Sequence, residues 1–280
     1  MFSTWRPTLR YWMQTEVHVY SFSIAANVLL SFFPFLIVIT SLCRHVLGWQ
    51  GAVDAIYAAL RETFPGQWSE WLIRNLRFIV DKRGPVQFVP ILVLFFTANG
   101  VFEPLEVALN RTWNVQVNRS FLRNQLVSLG LVFACGSLML LSLSLSAANA
   151  ALLARLLPDW KITNILASMF FHSISLSMTI LVIFLIYWLV PNRDIAWRSV
   201  VPVAILAGLA IEALKWLTIA FWPHIDEKFY LEYGPFEYSA IMIFWSFLAS
   251  MIVLAGGEWA ARRRSGGDGC VVRGIGNDIE

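Results

Sequence analysis

Glu212 and Lys215 stand three residues apart in an apolar stretch that runs from about Ser199 to Trp222. Residues at that spacing share one face of a helix. An acid and a base so placed can pair with each other, or hold a coupling ion or the polar part of a substrate. Glu212 comes thirteen residues after Ser199, roughly 20 Å along a helix, and Lys215 about one turn later. A lone charge at the centre of a membrane helix costs about 2.5–3.5 kcal/mol on the insertion scale. An interior pair is therefore the cheaper arrangement, and this pair is the foremost candidate for buried charge.

A second set lies on an earlier apolar stretch: Asn99, Glu103, Glu106 and Asn110, again at helical spacing. Pro85 to Phe102 is an uncharged run of eighteen residues, about 27 Å of helix. Glu103 and Glu106 therefore come where a helix would reach an interface, and a solvated role competes evenly with a functional one. Asn27 lies between Ser23 and Ser31 on one face of the first apolar run, and His172 lies between Ser168 and Ser175 on another. His172 alone fits a satisfied interior histidine better than a ligand. His18, His45 and His224 sit at span ends and make no metal site. Cys43, Cys135 and Cys270 have neither disulfide-framework nor metal-ligand spacing. No metal or cofactor is expected.

Composition defines the elements that must carry these residues. Apolar residues make up 58% of the 280 and charged residues 14%, where a soluble domain carries about a quarter charged. Uncharged runs reach the ~20 residues that cross a bilayer as a helix. The pattern predicts an all-α polytopic membrane protein: a single domain over 1–264 with six transmembrane helices near 19–43, 85–108, 126–152, 170–190, 199–222 and 238–259. No cleavable signal peptide is expected. Pro223 is expected to end the fifth span, and the glycine-rich 265–280 to be a disordered tail.

Between the first two spans, 52–82 reads as an amphipathic helical segment. Trp68, Trp71, Leu72, Leu76 and Ile79 recur at helical spacing, with Glu70, Arg74, Arg77 and Asp81 between them. Ile56, Leu60 and Phe64 suggest a shorter helix before Pro65-Gly66. Such a segment lies in the headgroup region or packs on the protein, with equal weight on each.

Loop charge orients the bundle. Arg6, Arg10, Arg111, Arg119, Arg123, Arg193, Arg198, Arg262, Arg263, Arg264 and Arg273 fall on the side that holds both termini. The opposite short loops hold Arg155, Lys161 and Lys228. The positive-inside rule then puts both termini in the cytoplasm. Six further bases in 44–83 alternate with acids and are discounted. The net charge of +3 is small and dispersed, so no nucleic-acid partner is expected; membrane lipids are. Ala204 and Gly208, the serines of the third span, and the stripe Ser239, Ser246, Ser250 and Gly257 are what close helix packing uses.

Several segments resemble the YihY/BrkB membrane proteins. These are SIAANVLLSFFPFLIVITSL in the first span, EVALNRTWNV after the second, YWLVPNRDIAWRSVVPVAILAGLAIEALKW across the fourth and fifth, and YGPFEYSAIMIFWSFLASMIVLAGGEWA in the last. They carry a Trp197-Arg198 pair, Lys215 and a Gly256-Gly257-Glu258 motif, and the likeness covers roughly residues 15 to 262. The resemblance implies a bacterial inner-membrane protein of six helices without a settled activity. It also brings a virulence role proposed for one member, an old ribonuclease label and suggested links to envelope lipid handling.

Three functions compete. A transporter or exporter of an amphipathic or lipid-like molecule suits the polar stripes and the Glu212/Lys215 pair. A non-transporting scaffold of an envelope complex suits the amphipathic segment. A ribonuclease is disfavoured: cytoplasmic loops are short and no Asp/His cluster could hold a catalytic metal. No G-x-x-x-x-G-K-[ST] occurs, so the chain carries no ATPase of its own. An enzyme is not expected. Asn110, Arg111 and Trp113 echo Asn192, Arg193 and Trp197, a hint of repetition too short to carry weight.

Overall fold

A computed structural model describes residues 8, 10–63, 67–83, 88–115, 120–156, 160–193 and 195–268. They are mostly helical, with no strand among the described residues. The order is α1 (Thr15–Ser41), continued by a π-helical turn (Leu42–Val46), α2 (Gln50–Thr63), α3 (Gln67–Arg83), α4 (Phe88–Thr112), α5 (Phe121–Leu156), α6 (Trp160–Leu189), α7 (Trp197–Tyr233), a 3₁₀ turn (Gly234–Phe236) and α8 (Glu237–Asp268). In lipid a helix satisfies its own backbone polar groups, which is why long uncharged runs take this form. Among the described residues four stretches are long and apolar enough to cross a membrane: Thr15–Val46, Val89–Thr112, Trp197–Thr218 and Glu237–Arg263. α6 adds a shorter apolar stretch, Ser173–Leu189. The side chains of residues 142–172 lie outside the described residues.

By contact the chain forms two compact units. One comprises 27–99 and 125–182. Its core joins Leu36, Ile39 and Cys43 of α1 and its π turn to Val53, Ile56, Tyr57 and Leu60 of α2, Leu72, Ile73, Leu76 and Val80 of α3, and Leu140 of α5. The segment 52–82 is thus two helices that bury an aliphatic stripe on the protein. The stripe keeps the expected Leu72 and Leu76 and adds Ile73 and Val80, whereas Trp71 is 51% exposed. The aliphatic side chains join the shared core, and an indole one helical step away points outward. Arg44 pairs with Asp81, and Arg61 Nε donates to Glu70 at 2.8 Å, tying α2 to α3. Gly48, at φ +59°, turns the chain from the π turn into α2; only a residue without Cβ takes that conformation freely. At Gly136 a Cβ would meet Ile39 at 3.1 Å and Phe35 at 3.3 Å, so α5 lies close against α1.

The other unit comprises 1–26, 100–124 and 183–280. Here α7 and α8 pack as an antiparallel hairpin, and Trp245 Nε1 donates to Thr218 Oγ1 at 2.8 Å. The helix of the fifth span extends past the expected span end at Pro223. α7 continues through Pro223 to Tyr233, taking in Asp226, Glu227 and Glu232. A proline removes one backbone donor from a helix, and nothing after it breaks the pattern until Gly234, at φ +52°, stops the helix with its N–H on the Tyr230 carbonyl. α8 runs to Asp268, past the start of the expected tail at residue 265.

Candidate functional site

The Glu212/Lys215 expectation becomes a contact. Lys215 Nζ lies 2.7 Å from Glu212 Oε2, with 14% of the Glu212 side chain and 34% of the Lys215 side chain exposed. Both residues lie within the apolar stretch Trp197–Thr218. Lys215 follows Glu212 by nearly one helical turn, so the two share a face.

Glu106 and Glu103 part company. Glu106 is 3% exposed, whereas Glu103 faces outward from α4. Asn110 Nδ2 donates to Glu106 Oε1 at 3.4 Å, and Asn110 Oδ1 accepts the backbone N–H of Asn192 at 2.8 Å. Arg193 donates to the Trp113 carbonyl at 3.2 Å. The two Asn-Arg segments therefore meet: the first caps the turn that follows α6. Sequence spacing hinted at repetition, but the role is contact. Asn27 belongs to the other unit and is half-buried. Asn99 and His172 lie on α4 and α6, and their side chains fall outside the described residues.

Glu258 closes the Gly256-Gly257-Glu258 motif on α8. It is 8% exposed and pairs with Arg262, whose Nη2 lies 2.9 Å from Glu258 Oε2. Thr8 donates to the same oxygen at 3.2 Å, and Trp12 Nε1 donates to the Met251 carbonyl at 2.9 Å. The N-terminal segment is thereby strapped to α8. Glu16 pairs with Arg111, which also donates to Tyr20. Burial pushes the Tyr11 phenol up.

Sequence reasoning valued Gly256 and Gly257 only as a motif and a small-residue stripe. A Cβ at Gly256 would run into the Tyr187 hydroxyl, with Tyr187 Cζ at 3.2 Å and Ala207 Cβ at 3.4 Å. One at Gly257 would run into Leu109. Tyr187, 1% exposed, donates to the Val253 carbonyl at 2.7 Å. The glycines are therefore where α8 admits α4, α6 and α7. The small-residue pattern was the signal that could have found them, but its partner Tyr187 had none.

A family model described as virulence factor BrkB matches residues 8–268. The chain is 29% identical over 190 residues to a UPF0761 membrane protein of Acinetobacter baylyi, covering 66% of this chain and 44% of that one. A UPF0761 membrane protein of Chromohalobacter salexigens is 29% identical over 254 residues, covering 83% and 57%. The ribonuclease-like protein YfkH of Bacillus subtilis is 23% identical over 236 residues, covering 82% and 84%. The chain spans about half the length of the first two relatives. No solved structure matches. Apart from that one ribonuclease-like label, these names describe membrane proteins and indicate no enzyme. With apolar helices of spanning length and a family match over nearly all the described residues, the chain belongs to the BrkB family of membrane proteins.

Proposed function

We propose that the chain is a six-span protein of the bacterial inner membrane, with both termini cytoplasmic, and that it moves an amphipathic or lipid-like molecule. The observation that carries this reading is the Glu212–Lys215 pair inside an apolar helix of spanning length. Apolar residues could fill a purely structural position there. A pair of opposite charges instead offers a site that a polar group or ion can open and leave. The span count is supported by four segments expected on one side of the membrane. The N-terminal segment contacts the C-terminal end of α8 through Thr8, Glu258 and Arg262, and contacts the end of α4 through Glu16 and Arg111. The end of α4 contacts the turn after α6 through Asn110 and Asn192.

The test is Glu212→Gln, Lys215→Gln and the double variant, purified and reconstituted. The readouts are thermal stability and transbilayer movement of a fluorescent short-chain phospholipid in proteoliposomes. Each single change removes the 2.7 Å ion pair. Its cost should be about 1–3 kcal/mol, below that of a fully buried pair because Lys215 keeps a third of its surface. The double variant should recover much of that stability and still lose the movement. A folded double variant with undiminished movement rejects the functional reading, and singles as stable as wild type reject the buried pair.

A further inference from the structure

One cavity stands apart from the Glu212–Lys215 pair. It has a volume of about 280 Å³ and lies where the first turns of α1 meet the last turns of α4 and the C-terminal end of the apolar part of α8. These are the ends of three membrane-crossing stretches, Thr15–Val46, Val89–Thr112 and Glu237–Arg263. Where spanning helices end, lipid headgroups begin.

The walls carry two ion pairs, Glu16–Arg111 and Glu258–Arg262, together with the rings of Tyr11 and Tyr20. The charged lining is thus two cations and two anions, with no net sign. A plain anion entering it would meet both carboxylates, and a plain cation both guanidiniums. A molecule carrying both signs can exchange partners with an existing pair and leave no charge uncompensated. Guanidinium forks match phosphate oxygens, and a carboxylate beside tyrosine faces suits an ammonium. The Glu16–Arg111 pair is more exposed than Glu258–Arg262 and is the one that exchanges partners. The volume equals that of about nine liquid waters, room for a headgroup but not for its chains.

We propose that this cavity binds an ammonium–phosphate zwitterion of the phosphoethanolamine kind, either as a lipid headgroup at the membrane boundary or as a free solute. The site does not depend on transport, only on the three helices ending together at the membrane surface.

The experiment uses the full chain, stripped of lipid in a neutral sugar detergent and titrated calorimetrically. The probes are dihexanoyl phosphatidylethanolamine, dihexanoyl phosphatidylglycerol and soluble glycerophosphoethanolamine, a phosphodiester zwitterion without chains. The ethanolamine lipid should bind at least roughly tenfold more tightly than the glycerol lipid, the difference one charge-assisted hydrogen bond makes. Arg111→Gln, a change at a half-exposed side chain, should weaken it by a similar factor with Tm unchanged. Glu16→Gln should erase the preference between the two lipids while phosphate binding persists. Arg61→Gln, on α2, should change nothing. If glycerophosphoethanolamine also binds, and competes, the site reads a soluble zwitterion; if only the lipid binds, it reads a headgroup held in the membrane. Equal binding of the two lipids by wild type, no binding of either ethanolamine probe, or wild-type affinity in both Arg111→Gln and Glu16→Gln overturns the proposal.

Discussion

Gly256→Ala is the sharpest mechanical test of the packing. The added methyl group would fall on the Tyr187 hydroxyl, with the ring carbon behind it at 3.2 Å and Ala207 Cβ at 3.4 Å. Tyr187 cannot swing into open space, because it is 1% exposed, and its hydroxyl is committed to the Val253 carbonyl at 2.7 Å. Either α8 moves away from α6 and α7 or the tyrosine gives up its bond. Overpacking of a close-packed core costs about 1–3 kcal/mol. A lost hydrogen bond whose partners stay buried adds about 1 kcal/mol. Greater helix propensity returns up to about 1 kcal/mol, leaving a net loss of roughly 1–3 kcal/mol. Gly130→Ala is the matched control, because no atom lies within 4 Å of its added carbon, and it should be neutral or slightly stabilising. Tyr187→Phe combined with Gly256→Ala should cost less than the two single changes added together, because removing the hydroxyl makes the room the methyl needs. The assay is thermal or denaturant unfolding of purified protein in one detergent. A Gly256→Ala protein as stable as the Gly130→Ala control, or strict additivity in the double variant, would refute the close approach.

Asn110→Ala should cost about 1–3 kcal/mol by the same unfolding assay, because the Asn192 N–H loses its acceptor; an unchanged midpoint would show that water replaces it. Reporter fusions after Asp268 and near Gly66 should report opposite compartments, the first cytoplasmic. The same compartment for both would reject the six-span topology, whatever the fate of the Glu212–Lys215 experiment.

The sequence by itself determined the class of this protein. Uncharged runs of twenty residues leave a chain no soluble option and dictate helices. Position along such a run dictates which charges are costly, so Glu212 and Lys215 were legible as a pair from spacing alone. The BrkB likeness was legible too, because it is carried by the order of local motifs. Tertiary structure decided what periodicity could not. Hydrophobic spacing marks a helical face but does not choose its partner, so the buried stripe of α3 fell on Ile73 and Val80 rather than Trp71. A proline signals a missing donor but not whether the helix continues, and α7 continued. Glu106 and Glu103 are three residues apart with the same side chain, yet one is enclosed and the other faces out, because burial depends on what packs against each face of α4. Likewise Asn110 with Asn192, Glu16 with Arg111, and Gly256 beneath Tyr187 join residues far apart in the chain. No local pattern encodes such contacts: they follow only once helices have packed and each polar group has found the nearest group able to satisfy it.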